Sequence, residues 1–155
     1  MSFFIIIPIF DIFLLKIIQT PRPAKIIKLE WKKKDSRILV VACSATESTN
    51  ATEVVKNGFN VFVADNLWRG KKEYLLSDKG TMVIPNKNFH KVDLRDYKNC
   101  LKVTNKMDVV VHLADVVAGI NYVFSNESSL YRSNILINTN TLHACITNKV
   151  KKYIR

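Results

Sequence analysis

The chain has 155 residues, 48% hydrophobic, 24% charged and 10% aromatic, which suits one domain with an ordinary core and excludes an intrinsically disordered chain. Four glycines and four prolines exclude collagen-like and low-complexity sequence, and three cysteines (Cys43, Cys100, Cys145) without a CxxC pair exclude a disulfide framework and a thiolate zinc site. The net charge of +11, from 24 Lys+Arg against 13 Asp+Glu, points to anionic partners, but no basic and aromatic stripe accompanies it, so a weakly basic surface is expected and nucleic-acid binding is not.

Residues 3–18 (FFIIIPIFDIFLLKII) are nearly all apolar but carry Pro8, Asp11 and Lys16. The run is shorter than the roughly 20 residues of a membrane-spanning helix. It has no basic segment before it and no small-residue cleavage site after it, so it does not read as a secretory signal. Two readings stay open: an extension that packs loosely on the domain, or a peripheral membrane contact through 3–18. The basic residues that follow (Lys16, Arg22, Lys25, Lys28, Lys32, Lys33, Lys34) would keep the remainder on the cytoplasmic side of any membrane it touched, and a cytoplasmic location is expected. Pro21 and Pro23 mark the end of this stretch. The chain therefore divides into an apolar, then basic, extension over 1–35 and a folded domain over 36–155.

From Arg37 the sequence turns to short β-branched runs separated by polar, helix-compatible stretches. Arg37–Val41 and 60–64 read as buried strands, joined by a helix over 47–57 that Gly58 ends. A third strand is expected over 89–92, then a helix capped by Asp96 and running to about Asn105, then a fourth strand over 108–113. A long helix follows over 129–148, with Tyr131, Ile135, Leu142, Cys145 and Ile146 expected on its buried face, and 151–155 begins a fifth strand. Strands that are continuously apolar, each followed by a helix, imply a parallel sheet covered on both faces. The fold class is α/β, a Rossmann-type doubly wound parallel sheet that is truncated after the fifth strand, with ligands expected at the carboxyl ends of the strands.

Five segments in this order resemble a known family: Val61-Phe-Val-Ala-Asp65-Asn66-Leu67-Trp68-Arg69-Gly70, Val92-Asp93-Leu94-Arg95-Asp96, Asp108-Val-Val-Val-His112-Leu113-Ala114, Val117-Ala118-Gly119-Ile120-Asn121-Tyr122, and the helix from Asn134 to Cys145 leading to Tyr153. They are similar to the amino-terminal half of the extended short-chain dehydrogenase/reductases, the NAD-dependent nucleotide-sugar epimerases and dehydratases, and most to the branch of GDP-mannose epimerases and GDP-fucose synthases. The resemblance implies a cofactor, NAD, with NADP left open, and a nucleotide-sugar substrate in the complete relatives. It implies that Asp65 and Asn66 lie at the adenosine ribose, where an acid favours NAD, while Arg69 would pair with a 2′-phosphate. Asp93 and Leu94 match positions beside the adenine, and Leu113 and Ala114 the turn along the nicotinamide half. His112 is expected to be a packing residue without an acid/base partner, and His90 and His143 likewise.

Two departures limit what the resemblance carries. Where the family's first turn reads Thr-Gly-x-x-Gly-x-x-Gly, this chain has Ala42, Ala45 and Ser48 in the region of the glycines. The lost glycines served a tight turn, a close backbone approach to pyrophosphate and close helix packing, and Glu47 would oppose a bound diphosphate at the helix start, so cofactor binding is expected to be weak or lost. The family's Tyr-x-x-x-Lys pair, whose Lys lowers the phenol's pKa for acid/base work, lies beyond the fifth strand. Tyr74 is followed four residues on by Asp78, and Tyr131 by Ile135, so no catalytic and no metal-binding residue is assigned. The expected protein is the cofactor-binding half of an epimerase/dehydratase, not catalytically complete by itself; the alternative is a non-catalytic Rossmann-like interaction domain that has lost its cofactor. A sheet left with an open edge also predicts self-association.

Overall fold

The structure, a computed structural model, describes residues 35–41, 54–77, 79–116 and 118–155. Five strands, β1 (Arg37–Val41), β2 (Asn60–Asp65), β3 (Phe89–Lys91), β4 (Val109–His112) and β5 (Lys152–Ile154), form one sheet in the order β3-β2-β1-β4-β5, and every pairing is parallel. β1 is central. The chain moves outward from it through β2 to β3, then returns to its other side for β4 and β5. The doubly wound sheet expected from the sequence is therefore the fold, and the strand order reverses at β1, whose carboxyl end is the switch point at which such sheets take ligands.

Both faces of the central strands are buried, which is why they are continuously apolar. Ile38, Val40, Val61, Val63, Val109 and Val111 point one way. Leu39, Val41, Phe62, Ala64 and Val110 point the other, into a core closed by helices α1 (Tyr97–Thr104) and α3 (Glu127–Thr147). Asp108 ties the strand starts together. Its carboxylate accepts from Arg37 N–H (3.0 Å) and pairs with Lys151 Nζ (2.6 Å), and its carbonyl accepts from the amides of Lys151 and Lys152 (3.0 and 3.2 Å). Asn88, buried just before β3, donates to Asn60 Oδ1 and Val61 O (3.1 and 2.9 Å) and so fixes β3 against β2.

The helix ends follow local chemistry. Asp96 caps α1 by accepting from Lys98 N–H at 2.9 Å. Of the helix expected over 47–57, its end at 54–56 is helical and Gly58 follows with φ +82°, the left-handed conformation that a glycine adopts freely; the rest lies outside the described residues. The expected extension over 1–35 also lies outside them, apart from Asp35.

Two expectations need correction. A short helix, α2 (Ile120–Ser125), precedes α3, which itself starts two residues earlier than the periodicity suggested. More important, α3 does not bury the face read from its large apolar residues. Tyr131, Ile135, Leu142 and Ile146 are 72%, 45%, 42% and 47% exposed, and only Cys145 of that set is buried. The buried face consists of Ser133, Ile137, Thr141, Ala144 and Cys145. The cause is close approach: α3 packs directly on α1, and small side chains let it do so. Thr141 is admitted because its hydroxyl donates to the Ile137 carbonyl at 2.7 Å and leaves no unsatisfied donor.

Candidate functional site at the carboxyl edge of the sheet

Asp65 ends β2 and is buried. The chain must turn sharply there, and Leu67 takes a left-handed φ of +59°. The turn is held by two side chains: Asp65 Oδ1 accepts from Leu67 N–H at 2.7 Å, and Asn66 Oδ1 from Trp68 N–H at 2.9 Å. Burial pushes the Asp65 carboxyl above the usual range, and the amides of Leu67 and Asn66 pull it back. The other carboxylate oxygen faces Gly70. Arg69 lies with its guanidinium 5.9 Å from the Trp68 ring, and Trp68 in turn meets Tyr122 of α2, ring centres 5.9 Å apart.

Val92 N–H donates to Asp65 O at 3.0 Å, so the segment after β3, which leads into Asp93, lies against the end of β2. Asp93 is engaged locally: Arg95 reaches both of its oxygens, with Nε at 3.0 Å from each and the terminal nitrogen at 2.5 Å. That hydrogen-bonded pair holds the Asp93 carboxyl below its ordinary value. Leu94 turns into the core, so its side chain packs under the site. On the other side of β1, Leu113 N–H donates to Val41 O at 2.9 Å and Ala114 is buried. Asp65, Asn66 and Asp93 thus flank one side of the end of β1 and Leu113 and Ala114 the other. Ala42, Ala45 and Ser48 lie outside the described residues.

The histidines all have neighbours that the sequence did not reveal. His112, buried at the end of β4, bonds through Nε2 to Asn138 Oδ1 at 2.7 Å and stacks on Tyr153. Because an amide oxygen only accepts, Nε2 is the donor in this bond. Burial lowers the His112 pKa. Asn138 continues to Asp115 (3.3 Å), which pairs with Arg155 (3.2 Å). Asn134, one turn earlier on α3, accepts from Val116 N–H at 2.6 Å and anchors the chain leaving β4. His90 stacks on Phe62 and His143 on Tyr97. Gly70, Asn134, Asn138 and Asp115 were not named as candidate site residues, although Gly70, Asn134 and Asn138 stand in segments that carry the family resemblance and Asn134 and Asn138 are polar at an (i, i+4) spacing on a helix.

Among the described residues no three His, Cys, Asp or Glu side chains group to hold a metal ion, and no helix is long and apolar enough to cross a membrane. The residues present fit the adenosine end of a dinucleotide: a buried acid at the end of β2, beside the switch point of a parallel sheet, is placed to accept hydrogen bonds from a ribose diol.

Comparisons with known proteins agree with this geometry. Residues 48–155 match the family described as NAD dependent epimerase/dehydratase. A GDP-mannose 3,5-epimerase from Oryza sativa subsp. indica is 31% identical over 123 residues, covering 79% of this chain and 31% of that protein. The fold is shared with a UDP-N-acetylglucosamine 4-epimerase from Methanobrevibacter ruminantium, in complex with UDP-N-acetylmuramic acid (TM-score 0.60, 24% identity, 78% of this chain and 37% of the other). It is also shared with a dTDP-glucose 4,6-dehydratase from Streptomyces venezuelae that has NAD bound (TM-score 0.64, 18% identity, 76% and 38%). The chain spans about a third of the length of the curated relatives it matches. With the sheet order, the acid at the end of β2 and a family match over most of the sequence in agreement, the chain belongs to the NAD-dependent epimerase/dehydratase family.

Proposed function

We propose that residues 36–155 form the cofactor-binding part of a nucleotide-sugar epimerase or dehydratase, binding NAD in preference to NADP. The observation that carries this reading is Asp65: a buried carboxylate at the carboxyl end of β2, with one oxygen held by Leu67 N–H and the other unencumbered by a side chain at Gly70. Bound NAD would supply a hydride acceptor and donor. This chain's residues would bind and orient it. Asp65 would accept hydrogen bonds from the ribose hydroxyls and repel a 2′-phosphate. Asn66 would keep the loop above the adenosine in its turn, and the Asp93–Leu94 backbone would border the adenine, with the Asp93 carboxylate neutralised by Arg95. Leu113 and Ala114 would form the apolar floor along the nicotinamide half. The nucleotide-sugar substrate is proposed by relation to the family, and no catalytic residue is assigned in this sequence.

A second reading rests on Ala42, Ala45 and Ser48 in place of the family's glycines: a Rossmann domain that keeps its fold and has lost its cofactor. Calorimetric titration of the folded chain with NAD and NADP separates the two. Micromolar to low-millimolar NAD binding that disappears in Asp65→Ala supports the first. Absence of heat from a folded sample, restored in the triple variant Ala42→Gly, Ala45→Gly, Ser48→Gly, supports the second.

A further inference from the structure

We infer that Gly70 is a positioning residue for Asp65: the missing side chain at 70 is the space that the Asp65 carboxylate occupies, and this sets both the strength of NAD binding and the discrimination against NADP. The inference rests on the cofactor reading above and adds a residue to it.

Gly58 and Gly80 are explained by their backbones, with φ of +82° and +72° and nothing within 4 Å of where a β-carbon would stand. Gly70 is different. It has no left-handed φ to require glycine, and it is buried. A β-carbon built on it would overlap Asp65 Oδ2, and would lie 3.1 Å from the Asp65 carboxyl carbon and 3.4 Å from Oδ1. Real carbons do not share space in this way, so one of the two residues would have to move.

Asp65 is the one that yields, and yielding costs it its orientation. A carboxylate on a single short stem escapes only by rotating about its side-chain bonds. Rotation takes Oδ1 away from Leu67 N–H, the 2.7 Å bond that fixes the turn. The contact therefore works in both directions. Leu67 draws one oxygen toward the loop, and bare Gly70 accommodates the other, so the carboxylate plane is set before any ligand arrives. Such preorganisation is what lets an acid recognise a diol, since both hydrogen bonds form without first ordering the side chain. It also keeps a full negative charge aimed at the position a 2′-phosphate would need, which is where the selectivity against NADP would originate.

The test uses Gly70→Ala, Asp65→Ser and the double variant, titrated with NAD and with NADP, with the Leu67 amide followed by NMR shift and hydrogen exchange. Gly70→Ala is expected to weaken NAD binding roughly tenfold or more, the scale of losing a charge-assisted hydrogen bond, and to weaken NADP binding less, so that the NAD to NADP preference collapses. The Leu67 amide is expected to lose its hydrogen-bonded shift and its protection. The double variant is expected to match Asp65→Ser, because the overlapping oxygen is gone and only the γ-atom of residue 65, about 3.1 Å from the β-carbon, remains near it. An effect of Gly70→Ala that persists at full size in the Asp65→Ser background would overturn the inference, as would unchanged NAD affinity. Should Gly70→Ala fail to fold, recovery of the fold in the double variant supports the contact and failure there refutes it. If the parent chain binds neither nucleotide, the cofactor reading falls by itself. The Leu67 amide then still decides whether Gly70 positions Asp65: an unperturbed amide in Gly70→Ala refutes the positioning.

Discussion

The orientation of α3 can be tested by two truncations about one and two-thirds turns apart. Ile137 is 7% exposed within the core and Tyr131 is 72% exposed. Ile137→Ala removes buried methyl groups from a packed site and leaves a cavity, at about 2–4 kcal/mol. Tyr131→Ala removes a ring that is mostly in water already, and surface changes of that kind stay within about 0.5 kcal/mol. A third variant probes the helix contact from the other direction: Ala144 is fully buried, and Ala144→Leu forces extra volume into the α1–α3 seam at about 1–3 kcal/mol or more. Urea denaturation followed by circular dichroism gives each loss from the midpoint, provided the slope is unchanged. Equal losses for Tyr131→Ala and Ile137→Ala would refute the packing described here and reinstate the large apolar residues as the buried face.

Asn148→Ala removes an amide that donates to Leu101 O and Thr104 Oγ1, both at 2.8 Å, and is expected to cost about 1–3 kcal/mol in the same denaturation assay. Burial pushes the thiols of Cys100 and Cys145 up to about 11 and about 12 from 9.0. An acid whose folded pKa is raised stabilises the fold below the unfolded value and loses that contribution as pH rises toward the folded one. Melting temperature is therefore expected to fall between about pH 9 and 12, and peptide mapping after iodoacetamide treatment at neutral pH to show both residues unmodified in the native chain. The outer edges of β3 and β5 have no neighbouring strand among the described residues, and α3 shows water an apolar stripe. Concentration-dependent association in sedimentation velocity is expected, and a monomer at tens of micromolar would contradict it.

The strands were legible because both of their faces are buried, so each is an unbroken β-branched run such as Val109-Val110-Val111. The end of α1 nearest Asp96 was legible for a local reason, since a capping carboxylate needs only the next two residues. The buried face of α3 was not legible. Periodicity selects large apolar side chains, whereas the seam with α1 selects small ones, and Thr141 conceals its polarity by bonding to its own helix. At the site, Asp65 was singled out through the family resemblance, whereas its contact with Gly70, five residues on across a turn, is made only by the fold. Likewise Asn138 and Asp115 meet His112 and Arg155 only after β4, α3 and β5 have been brought together.

The central position of β1 has a consequence for the order in which the sheet is built. Its first partner, β2, follows within one crossover, but its second, β4, begins just after Asp108, which lies 71 residues beyond Arg37. At a synthesis rate of about 5–20 residues per second, a nascent chain waits roughly 4 to 14 s between making β1 and making β4. During that interval the most hydrophobic strand has one side paired and one side bare, a template for any extended segment that reaches it first. Closure by β4 is thus a long-range, late event. The bonds that Asp108 makes to β1 and β5 serve as the latch: one residue secures the late strand to the early one and receives the last.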